Sequence, residues 1–450
     1  MKLLAESPQT LKLEQLIADQ VQGDYVYTYP PRQAYTPAEA TSPHARILAS
    51  LESTKDEAIN LYIHFPFCKQ ICKFCNLYAL PISPDSGFED YVAAVIHEIK
   101  SWAKRLRGRR VDTIYLGGGT PSLLSAPLLA RVLASIGESF AIDISGVPEV
   151  ALEVAPDTVD ATKLRDIRDV GITRINIGLQ SANEREIKLI GRQHGFERAR
   201  RTIEDSLNIG FRNVCVDLIY GLPGQSVGEW VRTLDEVLKL APPTVCAYPL
   251  TLRPGTGFSR QNLNIYGPDQ YQKYEIAKTR LQDVGYAQET HVRYIVPGHG
   301  GYRQKMNHWA GQDVIGIGAG ARGYLRTVDY RNGYSLKKRK DALTGYYSDI
   351  SAFASPIHSA MNHNRDERLR RSIILGLFHL DRGDFVATHG TDVIAAFSDE
   401  FFELDSLGLV QMNQQTVSLT EFGRKYRDLV VQRFFSNDVW ERVRRFNYNE

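Results

Sequence analysis

Short runs of β-forming residues alternate with amphipathic helical segments through the first half of the chain. The runs cover residues 61–65, 112–116, 149–155, 174–178, 213–219 and 244–249, and the helical segments fall near 88–106, 124–138, 158–169, 183–207 and 226–239. Six such repeats predict right-handed βαβ units and an all-parallel sheet. The runs read as apolar on both faces, as a sheet covered by helices on one side and filled on the other requires. The pattern therefore predicts a partial (β/α)6 barrel of the TIM type, or a complete one if later strands join. Reactive groups of such barrels gather at the carboxyl ends of the strands.

Beyond residue 242 the alternation loosens, with a helix expected at 268–283 and a strand within 285–297. Residues 325–364 are polar and Tyr-rich and read as a connector. From Arg365 come an amphipathic helix at 368–380, a second at 391–407, strands near 409–412 and 416–419, and a helix that Thr420 can cap. That is a winged-helix-like α+β order. Its acidic helices (Asp399, Glu400, Glu403, Asp405) suit neither DNA nor RNA. The expected units are an N-terminal arm over 1–58, a barrel with its extension over 59–325, the connector over 326–364 and the C-terminal domain over 365–450.

Residues 25–37 hold four tyrosines within eleven positions and several prolines. They cannot form a helix and expose too much apolar surface for a plain linker, so they read as an extended arm packed across the barrel. Residues 1–24 are mildly helical, with no cleavable leader. The 450 residues balance 54 basic against 52 acidic side chains. This balance gives no general field for nucleic acid or an anionic membrane, and the basic run 104–110 reads as a solvated helix end. No run is long and apolar enough for a membrane span, and the five cysteines make no disulfide framework, so a cytoplasmic setting is expected.

Three of those cysteines carry the chemistry. Cys68, Cys72 and Cys75 follow the first strand in a C-x-x-x-C-x-x-C spacing, with Phe74 before the last. Three neighbouring thiolates suit a [4Fe-4S] cluster with one open iron, whereas an electron-transfer cluster takes four. The alternative is structural zinc with His64 or a remote fourth ligand. Cys215 and Cys246 stand alone in apolar stretches and read as core residues. Successive strand ends then offer the glycine run 117–119 with Thr120, then Glu153, Gln180 and Asp217. Glycines let a ligand approach the backbone, and a carboxylate suits a pair of ribose hydroxyls. The second glycine-rich run, 316–323, lacks the context of a dinucleotide fingerprint and reads as a loop closing over a bulky ligand.

These residues resemble the radical SAM superfamily, and within it the family of oxygen-independent coproporphyrinogen III dehydrogenase. The resemblance rests on the Tyr-x-His-x-Pro-Phe-Cys approach, Gly-Gly-Gly-Thr-Pro, Asp-Leu-Ile-Tyr-Gly-Leu-Pro and the C-terminal domain. It implies two S-adenosyl-L-methionine (SAM) molecules at the barrel mouth. Tyr62, Gly118, Glu153 and Arg322 would hold the one bound to the cluster, and Phe74, Gly119, Thr120, Gln180, Arg192 and Asp217 the second. The stretch Cys75-Asn76-Leu77-Tyr78, with Tyr426-Arg427-Asp428-Leu429 near the C-terminus, looks closer to the class C radical SAM methyltransferases and cyclopropanases. That branch implies a 5′-deoxyadenosyl radical, transfer of a SAM-derived methylene to an sp2 carbon of a small-molecule or peptide natural-product substrate, and an electron donor such as flavodoxin or ferredoxin. His291 is the candidate general base. The competing expectations are oxidative decarboxylation of propionates, with Arg32, Arg293 and Arg322 as their partners, and a haem chaperone using His64 or His299.

Overall fold

The computed structural model describes residues 12–37, 43–84, 86–261, 263, 265, 267–299, 301–352 and 354–446. The N-terminal helical stretch expected over 1–24 lies outside them up to residue 11; of the remainder, Leu13–Ala18 is helical. Seven parallel strands form the barrel: Val314–Ile317, Ile59–Phe65, Val111–Gly118, Glu149–Val154, Arg174–Gln180, Asn213–Tyr220 and Thr244–Pro249, in that spatial order. Helices Phe88–Arg105, Ala126–Phe140, Ala161–Asp169, Phe196–Ile209 and Val227–Leu240 cover the outside. Antiparallel strands extend both edges into a 13-stranded sheet, which stays open between its ends.

The strands are two-faced, which corrects the expectation of apolar residues on both sides. Leu61, Ile63, Ile114, Leu116, Val150, Leu152, Ile175, Ile177, Val214 and Val216 turn outward into the core under the helices. Their neighbours turn inward, and these are polar: Thr113 donates to Asn60 at 2.8 Å, Asn176 to the Tyr115 hydroxyl at 3.0 Å, and Arg174 to Asn176 at 3.0 Å. Each fully buried aliphatic side chain contributes about 1.5–3 kcal/mol. The outer face therefore stabilises the barrel while the lumen is left free for chemistry.

The base of that lumen is plugged by residues 301–309. Arg303 pairs with Asp112 at 2.6 Å, Gln304 donates to the Leu61 carbonyl at 2.8 Å, and Asn307 reaches Asn60 and Asp112. Tyr302 stacks on Tyr115, with the Arg174 guanidinium 4.8 Å from its ring centroid.

The segment expected as a connector instead builds the sheet. Val328–Asn332 and Ile357–Asn362 pair with each other, beside Arg322–Tyr324. Its tyrosines belong to the core: Tyr330 is fully buried and stacks on Trp102. The 316–323 glycine run is likewise an interior turn and not a ligand-covering loop. Gly318 N–H donates to Glu98 at 2.8 Å and Ala319 N–H to Tyr91 at 2.9 Å. Arg109, read as part of a solvated patch, is buried against Asp313 at 3.0 Å.

The C-terminal region has its own core around Ile373, Phe401, Leu404, Val417, Val430 and Phe434, and a three-stranded sheet. Thr420 caps the helix Glu421–Lys425 through the Gly423 N–H. The arm joins that core. Tyr29 is wholly buried, donates to Glu367 at 2.5 Å and accepts from the Ser436 N–H at 3.1 Å. The arm then pairs at Thr36–Pro37 with Ser359–Ala360, and Tyr25 packs edge-on to Tyr248 of the sixth strand, so the arm straps the open flank of the barrel. No helix among the described residues is long and apolar enough to cross a membrane.

Candidate functional site

The cysteine loop leaves the first strand at Pro66 and is held on two sides. Lys73 N–H donates to the Ile190 carbonyl at 2.9 Å and Phe258 N–H to the Lys73 carbonyl at 2.9 Å, while Phe67–Cys68 pairs with Leu80–Pro81. Cys68 is buried; Cys72 and Cys75 are half-buried. Burial pushes the Cys68 thiol up to about 11, and burial with the neighbouring Cys72 pushes Cys75 up to about 12. Thiols this costly to ionise become thiolates when a cation shares their charge. The Thr120 hydroxyl points at the Cys68 sulfur, 3.5 Å away.

Beside the loop lies an open cavity of about 200 Å³. Cys72, Cys75 and Phe74 form one wall and Gly118, Gly119, Thr120 and Glu153 another; Gln180, Arg192 and Asp217 complete it. The structure thus brings together eight of the ten residues expected at SAM and two of the three cysteines. The glycine run fits close approach: Gly118 has φ +113°, and a Cβ on Gly119 would sit 2.6 Å from the Phe67 carbonyl. Gln180 adopts φ +71°, an uncommon conformation for a residue with a side chain, which turns the strand end at the cavity wall. The buried Nε of Arg192 has no hydrogen-bond partner. Both oxygens of Glu153 are held, by the Tyr115 hydroxyl at 2.8 Å and the Gly118 N–H at 3.0 Å. Three thiols, a glycine cradle and an unpaired guanidinium fit a cluster-bound, carboxylate-bearing cofactor.

Burial raises the Glu153 carboxyl to about 7. The folded chain therefore holds its proton to higher pH than the unfolded chain does. The stability this confers is present at acid pH and lost as pH rises from the ordinary carboxyl range through about 7. Ribose hydroxyls bind the ionised form better, so SAM affinity, followed by equilibrium dialysis, is expected to rise across the same window. Glu153→Gln should flatten that rise and weaken binding by about tenfold, the worth of a charge-assisted hydrogen bond.

Three expected site residues stand elsewhere. Tyr62 lies below the cavity, its hydroxyl 2.9 Å from His64 Nδ1 and its ring stacked on Tyr115. Arg322 is under the arm, donating to the hydroxyls of Tyr27 at 3.3 Å and Tyr35 at 2.9 Å. His291, the candidate base, is buried against the C-terminal domain. It stacks on Tyr274, and its Nδ1 donates to the Arg424 carbonyl at 3.0 Å. It has no access to the cavity, and burial lowers its pKa. The histidines offered for haem iron are also otherwise placed. His64 donates from Nε2 to the Tyr78 carbonyl at 2.8 Å, accepts at Nδ1 from Tyr62, and is lowered to about 4 by burial. His299 is exposed on the turn after strand Arg293–Ile295, whose end pairs with the start of the sixth strand, at the opposite end from the cysteines.

Some lumen features have no sequence motif. Cys215 and Cys246, read as separate core residues, meet across adjacent strands with their sulfurs 3.6 Å apart, and Cys215 is 3.7 Å from Asp217. Only the period-two alternation of the strands hints that these side chains face inward.

Residues 62–237 match the family model of the radical SAM superfamily. Among curated relatives, the protein named heme chaperone HemW of Escherichia coli is 32% identical over 314 residues, which is 68% of this chain and 82% of that one. The protein of the same name from Lactococcus lactis is 28% identical over 391 residues, 84% of this chain and 97% of that one. Among solved structures, E. coli coproporphyrinogen III oxidase (HemN), described as a radical SAM enzyme, superposes with a TM-score of 0.79 at 21% identity, over 92% of this chain and 99% of that one. These relatives overturn the expectation of a class C methyltransferase or cyclopropanase acting on a natural product: curated relatives spanning most of the chain carry a haem chaperone's name. The two short stretches that prompted it, Cys75-Asn76-Leu77-Tyr78 and Tyr426-Arg427-Asp428-Leu429, are too brief to outweigh that likeness. On its cysteine loop, its barrel and these relatives, the chain belongs to the radical SAM superfamily, in the same family as E. coli HemW, with a [4Fe-4S] cluster and SAM as its cofactors.

Proposed function

We propose that this chain is a cytoplasmic haem-binding protein of the HemW kind, in which Cys68, Cys72 and Cys75 hold the cluster and the Gly118–Thr120 run with Glu153 holds SAM. The observation that carries the reading is the length of chain shared with proteins named heme chaperones, which takes in the barrel and its cysteine loop. Supporting it, an open cleft lies between arm and barrel, walled by Tyr25, Tyr27, Arg32, Leu252 and Arg253. Aromatic faces suit a flat macrocycle and guanidinium groups suit carboxylates. Asn76, next to the third cysteine, is part of that wall, so the cluster loop separates the two cavities.

When bound and given an electron by a donor such as flavodoxin or ferredoxin, the cluster supplies reductive cleavage of SAM. The chain's own residues orient and shield. Gly118 would let the cofactor lie close to the backbone, Glu153 would take its ribose hydroxyls, Phe74 would close over it, and the plugged base keeps water from entering below. Haem binding here does not use His64 or His299, since the first is fully hydrogen-bonded and the second lies at the far end. Titration of the anaerobically reconstituted protein with haem is expected to give a saturable Soret shift with one haem per chain, unchanged in His64→Gln and His299→Ala. A titration with no shift beyond that of haem in buffer defeats the reading.

A further inference from the structure

Five cations converge beneath the arm without a carboxylate to neutralise them. Arg32 donates to the Asn76 carbonyl at 3.1 Å, Arg253 to the Tyr25 carbonyl at 2.7 Å and Lys305 to the Tyr27 carbonyl at 3.0 Å. Arg322 has the two tyrosine hydroxyls described above, and Arg331 reaches only the Gly320 carbonyl at 3.4 Å. All of these acceptors are neutral. Arg331 is 5% exposed, and both Arg331 Nη1 and Arg322 Nε are buried without any partner. Aromatic faces supply the remaining contacts: the Lys305 ammonium is 5.4 Å from the Tyr27 ring centroid and 5.1 Å from that of Trp309. The nearby carboxylates are otherwise engaged or unpaired with this set. Asp329 takes Arg371 at 3.0 Å and meets Arg322 only through the Tyr35 hydroxyl, and Asp24 lines the cavity without an ion pair to Arg32 or Arg253.

Elsewhere the chain neutralises its buried cations. Arg109 has Asp313 at 3.0 Å and Arg371 has Asp329. Burying charge without a counter-charge costs several kcal/mol per ion; Arg331 is buried and the other four are half-buried, Arg32 and Arg253 in the cavity wall and the rest behind Tyr27, so the set favours an anion from outside. Burial first, and then Arg293, Arg427 and Arg322 nearby, push the Lys305 ammonium down to about 7.

We infer that this cation set is the docking site for the carboxylates of a flat macrocycle bearing at least two of them, seated under the arm with one edge against the cysteine loop. Arg32 and Arg253, in the cavity wall, take one carboxylate; Lys305 and Arg322, behind Tyr27, take another in place of the arm's carbonyl and hydroxyl. This assignment rests on the haem reading and names the groups through which haem is held, namely its propionates and not its iron.

The test compares haem with haem dimethyl ester, which keeps the iron and the ring but carries no carboxylate, by Soret titration of the reconstituted protein and of Arg253→Gln and Lys305→Met. Haem is expected to bind at least about tenfold more tightly than the ester. Each substitution should weaken haem by about that factor and leave the ester unchanged. Equal affinity for haem and ester, or substitutions that weaken both alike, overturns the assignment while leaving the haem reading standing. Binding of neither compound overturns both. Circular dichroism and iron content establish that the variants are folded; should either fail, the haem-to-ester ratio of the unaltered protein decides.

Discussion

Changing any one of Cys68, Cys72 and Cys75 to alanine is expected to abolish the cluster, taking iron from about four atoms per chain to near none after anaerobic reconstitution. The brown absorption and SAM cleavage under reducing conditions should disappear with it. Each thiol supplies the ligand for one iron, and the loop offers no nearby replacement: His64 is hydrogen-bonded at both nitrogens, and Cys215 and Cys246 lie in the lumen against each other. Cys215→Ser and Cys246→Ser should retain full iron content, which distinguishes loss of a ligand from general disturbance. Retention of a full complement of iron and sulfide by Cys72→Ala, or uptake of zinc alone by the unaltered protein, contradicts the assignment.

The largest loss of stability is expected from Asp313→Ala, at about 3–5 kcal/mol. The Arg109 and Asp313 side chains are 3% and 0% exposed. Asp313 accepts from Arg109 at 3.0 Å, from the Thr54 hydroxyl at 2.5 Å and from the Arg326 N–H at 3.2 Å. Its own carbonyl accepts from Asn60 N–H, so it joins the first and seventh parallel strands at their starts. Alanine leaves a guanidinium buried with no counter-charge. The shift is read from the denaturant midpoint, and Arg109→Met combined with Asp313→Leu should recover part of it, because the unpaired charge is then gone. A single substitution costing less than about 1 kcal/mol would mean that water reaches Arg109.

The parallel strands were legible because each is apolar on its outer face and bounded by turn residues, and the helices because their apolar spacing matches the sheet they cover. What escaped depends on partners remote in sequence. Val328–Asn332 and Ile357–Asn362 look polar because Tyr330 is satisfied by the Gly316 backbone and Asp329 by Tyr35, Arg371 and His363, none of which a local pattern can anticipate. The polar lumen was hidden for a related reason: Asn60, Thr113 and Asn176 interrupt apolar runs singly, and only the folded sheet shows Asn60 beside Thr113 and Asn176 on Tyr115. At the site, the cysteine spacing, glycine run, Glu153, Gln180, Arg192 and Asp217 lie around one cavity. His291 misled because a histidine in an extended segment carries no mark of what packs on it; Tyr274, Arg424 and the C-terminal domain remove it from the cavity. Arg322 was tied to SAM by resemblance alone, and the arm, which the sequence did announce through its tyrosines, proves to be its partner.

Among the described residues, the plug at 301–309 closes the lower end of the lumen. With the base sealed and the flank strapped, the lumen opens beside the cysteines. A small cofactor seated in the lumen is therefore shielded on the sides away from the cysteine loop, and it meets solvent on the side where the cluster's ligands lie.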